Sequence, residues 1–88
     1  MDLPKLLEDL IEEVKDERTF VAFLQALADD KRFDGSEWYY EDIDYFLQGS
    51  VAWAKASRDG IEDYKAPRNA WRRIADILYH GRAKGLEL

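Results

Sequence analysis

The stretch from Asp42 to Ser57 constrains the fold most, because it has the longest run of apolar residues at helical spacing. At about 3.6 residues per turn, that spacing lines its apolar and small residues along one side of a helix: Ile43, Phe46, Leu47, Ser50, Trp53 and Ala54. We therefore predict a helix over about 43–57. Asp42 is its expected N-cap, with the carboxylate accepting a backbone N–H of the first turn.

Small residues lie near the middle of this predicted helix. A glycine inside a helix costs about 1 kcal/mol relative to alanine. Gly49, with Ser50 and Ala52, therefore predicts a point where another helix approaches closely. Trp53 is then the expected core anchor. Because this helix is central in the chain, we expect the remaining helices to pack around it and to meet at Trp53.

Three other segments also show helical periodicity, which predicts helices over about 3–15, 17–31 and 68–83. Asp16 is the expected cap of the second, and the last begins either with Pro67 in its first turn or with Asn69 as its cap. No strand alternation or internal repeat interrupts the pattern. The prediction is an all-α, compact four-helix single domain over 1–88, in which 84–88 form a frayed tail or a remnant of cloning.

Composition limits the class of protein. A hydrophobic content of 47% in 88 residues is enough for one folded core and exceeds that of a disordered acidic chain. The chain has no cysteine, which excludes disulfides and thiolate chemistry and fits a reducing cytoplasm. Acidic residues interrupt the N-terminal leucines, so no signal peptide or membrane span is predicted.

The net charge of −6 is unevenly distributed. Residues 1–44 carry 14 acidic and 5 basic side chains, whereas residues 45–88 carry 5 acidic and 8 basic ones. The first half repels phosphate, so we do not expect nucleic acid as a partner. Two interpretations remain: solvated faces of opposite charge, or a docking surface for a basic protein.

Three successive aromatic residues, Trp38, Tyr39 and Tyr40, lie between Glu37 and Glu41. They cannot all face inward, and tryptophan and tyrosine are common anchors of protein interfaces. These five residues are the candidate partner-binding site. Alternatively, Trp38 and one tyrosine close over the core while the other tyrosine is solvated.

Two sequence patterns resemble reactive or metal-binding sites. The stretch Asp30–Glu41 partly follows an EF-hand calcium loop, but Arg32 stands where an oxygen ligand is needed. His80, the only histidine, follows Asp76 by one helical turn, and the two could pair. We expect Asp76, like Arg72 and Arg73, to lie on the outer side of the last helix. We predict no catalytic residue, metal or cofactor.

Three segments together resemble a family of small uncharacterised bacterial proteins classified as a domain of unknown function. They are TFVAFLQALADD, EDIDYFLQGSVAWA and NAWRRIADILYHG, and the similarity extends to Gly81. Family members usually have proline after the asparagine and a different tail, whereas this chain has Ala70 and residues 82–88. The resemblance implies a bacterial origin and one compact domain, but no activity.

These observations favour a non-enzymatic, small acidic protein-interaction domain of the cytoplasm, an adaptor or a binder analogous to bacterial immunity proteins. Its partner would be a protein, of basic character if charge guides the encounter. One alternative is a homo-oligomeric helical module, in which the chain is a monomer or weak homodimer and apolar faces of the first and last helices are partly intermolecular. A less favoured alternative is a metal- or ligand-dependent enzyme around Asp76 and His80.

Overall fold

A computed structural model describes residues 6–35, 38–39, 42–61 and 64–83. It contains four helices in these ranges and no strand, which confirms the predicted all-α fold. The helices are α1 (Leu7–Glu12), α2 (Glu17–Phe33), α3 (Ile43–Arg58) and α4 (Ala70–Gly81). α1 and α4 are shorter than predicted, and α2 and α3 extend one or two residues further.

Capping side chains set two of the helix starts where they were predicted. Asp16 Oδ1 accepts the backbone N–H of Thr19 at 2.9 Å, while Thr19 Oγ1 accepts the backbone N–H of Asp16 at 3.0 Å. This reciprocal pair is a capping box. Asn69 Oδ1 accepts the backbone N–H of Arg72 at 3.1 Å, so asparagine rather than Pro67 starts α4.

α3 begins at Ile43 as predicted, but its expected capping hydrogen bond is not formed. Asp42 is the N-cap residue, but its side chain makes no capping hydrogen bond. At the other end, Gly60 follows the C-cap with φ of 105°, a left-handed conformation that glycine adopts without steric cost. The end of α3 is therefore encoded more strongly than its beginning.

α4 is the helix around which the described part of the chain is organised. It packs against α1, α2 and α3, whereas α3 packs against α4 alone. The main hydrophobic core contains Ile11, Val14, Phe23, Leu27 and Ala75, with no member from α3. The prediction that the other helices meet at Trp53 is therefore wrong, although the indole itself is only 6% exposed.

The buried side of α3 is also rotated from its predicted position. Its buried residues are Gly49, Ser50, Trp53 and Ser57. Ile43 and Leu47, which the periodicity assigned to the core, are 76% and 52% exposed. The small residues are the physical cause, because they allow close approach of a neighbouring backbone and so decide which side of α3 faces α4.

Polar contacts hold the six-residue α1 to α4. The Tyr79 hydroxyl donates to Glu8 Oε1 at 2.9 Å, and the Arg72 guanidinium donates to both oxygens of Glu12 at 3.2 Å. The Asn69 amide also donates to the backbone carbonyl of Lys15 at 2.9 Å. A helix this short is marginal alone. The burial of Ile11 stabilises it, and the polar contacts orient it against α4.

The predicted close approach is made by Gly81. A Cβ built on Gly81 would lie 2.7 Å from Ser50 Cα and 2.9 Å from Ser50 Cβ, distances that real side chains do not reach. α3 and α4 therefore meet at a glycine on one helix and a serine on the other. The sequence indicated the α3 side of this contact but did not identify Gly81 as the residue that approaches it.

We expect Gly81→Ala to lower the free energy of unfolding by about 2 kcal/mol, because overpacking outweighs the gain in helix propensity. Urea denaturation measures the change. Ser50→Gly removes the Oγ and Cβ atoms that the new methyl group meets but leaves Cα, so it relieves the overlap in part. The double variant should therefore be more stable than the sum of the two single effects, but less stable than Ser50→Gly alone. Strictly additive effects would show that the two residues are not in contact.

Candidate functional site

The predicted aromatic cluster is only partly described. Trp38 packs against the hydrophobic core, its indole N–H donates to Asp30 Oδ2 at 2.9 Å, and its ring centroid lies 5.5 Å from that of Phe46. Tyr39 is 56% exposed, and its backbone N–H donates to the carbonyl oxygen of Arg82 at 2.9 Å. Glu37, Tyr40 and Glu41 lie outside the described residues. Trp38 thus closes the core, and a partner-binding role for the cluster stays a prediction.

In the stretch that partly follows an EF-hand loop, the first residue, Asp30, makes hydrogen bonds within the protein. The Asp30 carboxylate accepts the Trp38 indole N–H, and the Asp30 carbonyl oxygen accepts the backbone N–H of Gly35 at 2.7 Å. Gly35 has φ of 72°, the conformation that a tight turn after a helix requires. The contacts of Asp30 are those of a helix-ending turn.

Asp76 and His80 do not have the roles that their spacing suggested. Asp76 is buried at 3% exposure, against the prediction of an outer position. Its carboxylate accepts the Tyr64 hydroxyl at 2.8 Å and Arg72 Nε at 3.0 Å. The His80 ring instead stacks on Trp53, with centroids 4.3 Å apart and planes inclined by 10°.

Burial is the main cause that lowers the pKa of His80 below its ordinary value. The Asp76 carboxylate raises this pKa and the Arg82 guanidinium lowers it, both less than burial does. The imidazole is therefore neutral at pH 7, which suits a ring stacked on an indole and partly removed from water. His80 contributes an aromatic surface here.

Arg73 joins α3, α4 and the segment between them. Its Nη1 donates to Ser57 Oγ at 2.8 Å and to the Tyr64 hydroxyl at 3.2 Å, and its Nη2 donates to the carbonyl oxygen of Ala54 at 3.0 Å. The guanidinium also lies 5.4 Å from the centroid of the Trp53 ring. Burial, followed by the bond to Asp76, raises the pKa of Tyr64, so its hydroxyl stays protonated. These groups are engaged in holding the helices together.

Arg82 is a buried cation at the end of α4, with 5% exposure. Within the described part of the chain, its Nε and Nη1 atoms have no hydrogen-bond partner. Its guanidinium lies 4.6 Å from the centroid of the Tyr79 ring. A backbone hydrogen bond is the main cause that lowers the pKa of Glu8, and the charge of Arg82 adds a smaller contribution in the same direction. A cation–π contact and a nearby carboxylate therefore compensate part of the buried charge.

The described residues bring together no group of three or more histidine and acidic side chains at metal-binding distances. A surface suited to binding lies on the side of α3 that faces away from α4, apart from the predicted aromatic site and the residues considered for metal binding. We call it the α3 outer face and define it by Leu47, Gln48, Val51, Ala52 and Lys55, which line an open groove of about 460 Å³. Leu47 and Val51 are each 52% exposed.

Charges of opposite sign lie at the two ends of the α3 outer face. Asp44 is in the first turn of α3, and its Oδ1 accepts the side-chain amide of Gln48 at 3.2 Å. Lys55 and Arg58 are in the last turn. The negative charge near the N-terminus of α3 and the positive charges near its C-terminus both complement the helix dipole. The face is thus acidic at its start, aliphatic in its middle and basic at its end.

Sequence reasoning missed this face because it assigned Ile43 and Leu47 to a single buried stripe. A signal was present in Val51, which follows Leu47 by four residues and lies off the side that contains Trp53. α3 therefore has apolar residues on two sides, and a helix that packs against one neighbour buries only one of them.

No described helix is both long and apolar enough to cross a membrane. Comparison of the chain with models of known protein families, with curated proteins and with solved structures finds no match, so the resemblance to the bacterial family stays a prediction.

Proposed function

We propose that this chain is a small, non-enzymatic protein-interaction domain that binds its partner through the α3 outer face. The observation that carries the proposal is the position of α3 in the fold. It packs against α4 alone among the described helices, yet Ile43, Leu47 and Val51 lie exposed within two and a half turns of it. Exposed apolar residues scattered singly are ordinary, whereas a contiguous row with a groove beside it is typical of an interaction surface.

The chemistry of the face supports a protein partner. Leu47, Val51 and Ala52 supply its aliphatic surface, and Gln48 and Lys55 supply polar groups next to them. Protein interfaces usually combine apolar and polar groups in this way. Covering the exposed halves of Leu47 and Val51 would contribute about 1 kcal/mol each, which suits a modest and reversible association.

The alternative of an enzyme around Asp76 and His80 has less support. Both oxygens of the Asp76 carboxylate accept hydrogen bonds from Tyr64 and Arg72, and His80 stacks on Trp53. A base or ligand pair needs the two groups turned toward a common substrate position. The absence of cysteine and the acidic composition support a cytoplasmic setting for the interaction domain.

Position-specific photo-crosslinking tests this proposal in cells that express the chain naturally. A photoreactive residue replaces Val51 on the α3 outer face, or Val21 on α2 as a control with nearly equal exposure, 53% against 52%. We expect a protein adduct from position 51, and little from position 21. Leu47→Glu in the same chain should abolish the adduct, because it places a charge on the aliphatic part of the face.

Two outcomes would contradict the proposed function. One is the absence of any protein adduct from position 51. The other is an equal yield from positions 51 and 21, which indicates random collision. The identity of the crosslinked protein does not enter this test, since a second copy of the chain and a different protein both satisfy it.

A further inference from the structure

We infer that the occupant of the α3 outer face is a second copy of this chain, with the two α3 helices packed antiparallel across a two-fold axis. This inference rests on the proposed function and names its partner. Three features of α3 carry it: the line of residues opposite α4, the apolar side chains beside that line, and the order of the charges along it.

The residues opposite α4 follow a regular spacing. Asp44, Gln48, Val51 and Lys55 are separated by four, three and four positions. At about 100° per residue, this spacing keeps them on one line along the helix, on the side away from Trp53. Coiled coils use the same spacing, but only Val51 on this line is apolar, so the contact depends on its charges and on Leu47 beside the line. The line is about 17 Å long at 1.5 Å per residue.

An antiparallel two-fold arrangement pairs these positions without conflict. With the axis at the level between Gly49 and Ser50, Gln48 of one copy lies opposite Val51 of the other. The two Leu47 side chains approach each other on one side of this line, and the two Ala52 side chains face each other on the other side. Because the contact is isologous, the Gln48–Val51 pairing occurs twice.

The charges select the antiparallel orientation. In the same register, Asp44 of each copy lies opposite Lys55 of the other, which gives two ion pairs at the ends of an aliphatic contact. Parallel packing would instead place Asp44 beside Asp44 and Lys55 beside Lys55. Opposite charges that fix orientation while like charges penalise the alternative are a general source of specificity.

The order of charges also favours a second copy over a basic partner. A uniformly basic surface would be attracted to Asp44 but repelled by Lys55 at the other end of the face, whereas Arg58 already pairs with Asp59 at 3.5 Å. A second copy presents a carboxylate where this chain presents an amine, and an amine where it presents a carboxylate. The net charge of −6 opposes approach of two copies, but at physiological salt this repulsion is screened beyond about 8 Å.

Sedimentation equilibrium of the purified full chain, from about 10 μM to 1 mM, tests the inference at concentrations suited to a small interface. We expect reversible dimerisation of the wild type. Leu47→Glu should raise the dissociation constant by at least about 30-fold, because the charge occurs twice in the contact. Val21→Glu, at a matched exposed valine on α2, should leave it unchanged.

A charge exchange tests the orientation. Asp44→Lys and Lys55→Asp each replace two attractions by two repulsions, and each should raise the dissociation constant about tenfold. The double variant Asp44→Lys/Lys55→Asp restores both pairs in reversed order and has the wild-type net charge. Its dissociation constant should return to within about threefold of the wild-type value. Circular dichroism of every variant confirms that the helices remain folded.

Two results would overturn the inference. One is a wild-type chain that remains monomeric at 1 mM. The other is a double variant that associates no better than the single ones, which would exclude the antiparallel pairing. A monomeric chain that still forms a position 51 adduct with a different protein would overturn the second-copy inference while the proposed function stands. If that adduct is also absent, both fail.

Discussion

Trp53→Ala is expected to lower the free energy of unfolding by about 4 kcal/mol, the largest effect of any single change considered for this chain. The indole is 6% exposed and lies between three other side chains. Its ring stacks on His80 at 4.3 Å, contacts Tyr64 edge to face at 4.9 Å, and lies beneath the Arg73 guanidinium at 5.4 Å. Alanine would remove all three contacts and leave a cavity.

The size of the effect follows from the small contact surface of α3. Because α3 packs against α4 alone among the described helices, few other large side chains join it to the rest of the molecule. Gly49, Ser50 and Ser57, its other buried residues, bring the backbones together but bury little apolar surface. Trp53 therefore supplies most of the hydrophobic free energy of this contact.

Urea denaturation measures this loss, with Phe33→Ala as the control. Phe33 is also aromatic but is 76% exposed, so its truncation should change stability by no more than about 0.5 kcal/mol. NMR titration gives a second readout at His80, whose pKa is lowered chiefly by burial. Removal of the indole should admit water and move this pKa upward, toward the ordinary histidine value.

Two observations would refute this account of Trp53. One is a stability loss no larger than that of Phe33→Ala, which would place the indole in solvent. The other is an unchanged pKa of His80 in a folded Trp53→Ala variant, because His80 would then be buried by groups other than the indole.

Asp76→Ala is expected to lower the free energy of unfolding by about 3 kcal/mol. The substitution removes a buried carboxylate that accepts bonds from Tyr64 and Arg72. Loss of one member of a buried ion pair leaves the other charge without compensation. Arg72 keeps its bonds to Glu12 and some contact with water. The expected loss of stability is therefore near the lower end of the range that is usual when one member of a buried ion pair is removed.

Glu12→Ala is the matched control, because Glu12 is the second carboxylate bound to the same arginine. Its side chain is 70% exposed, and exposed ion pairs contribute little because water and salt screen them. We expect thermal and urea denaturation of Glu12→Ala to differ little from the wild type. Equal losses for the two variants would mean that burial of Asp76 does not set the strength of its interactions.

Local features of the fold could be predicted from neighbouring residues in the chain. The capping box at Asp16 and Thr19 involves residues three apart, and Asn69 caps α4 through Arg72 in the same way. Periodicity gave the number and approximate bounds of the four helices. These features depend on interactions within one turn, so the sequence is sufficient to predict them.

The choice of helix partners could not be predicted in this way. The stripe on α3 indicated that a side of the helix is buried, but it did not identify Gly81 as the close neighbour of Ser50. Asp76 was expected outside because charged residues usually are, yet α4 has neighbours on several sides, and Tyr64 and Arg72 satisfy the carboxylate. Ile43 and Leu47 were assigned to the core because the periodicity does not show which side of α3 has a neighbour.

The sequence by itself determined that this chain forms helices, where most of them begin, and which residues are apolar enough to be buried. Only the tertiary structure decided that α4 and not α3 is central, that Asp76 is inside, and that Leu47 and Val51 are left exposed. The physical reason is that helix formation and capping depend on residues three or four positions apart. Burial, by contrast, depends on which surfaces from distant parts of the chain come into contact.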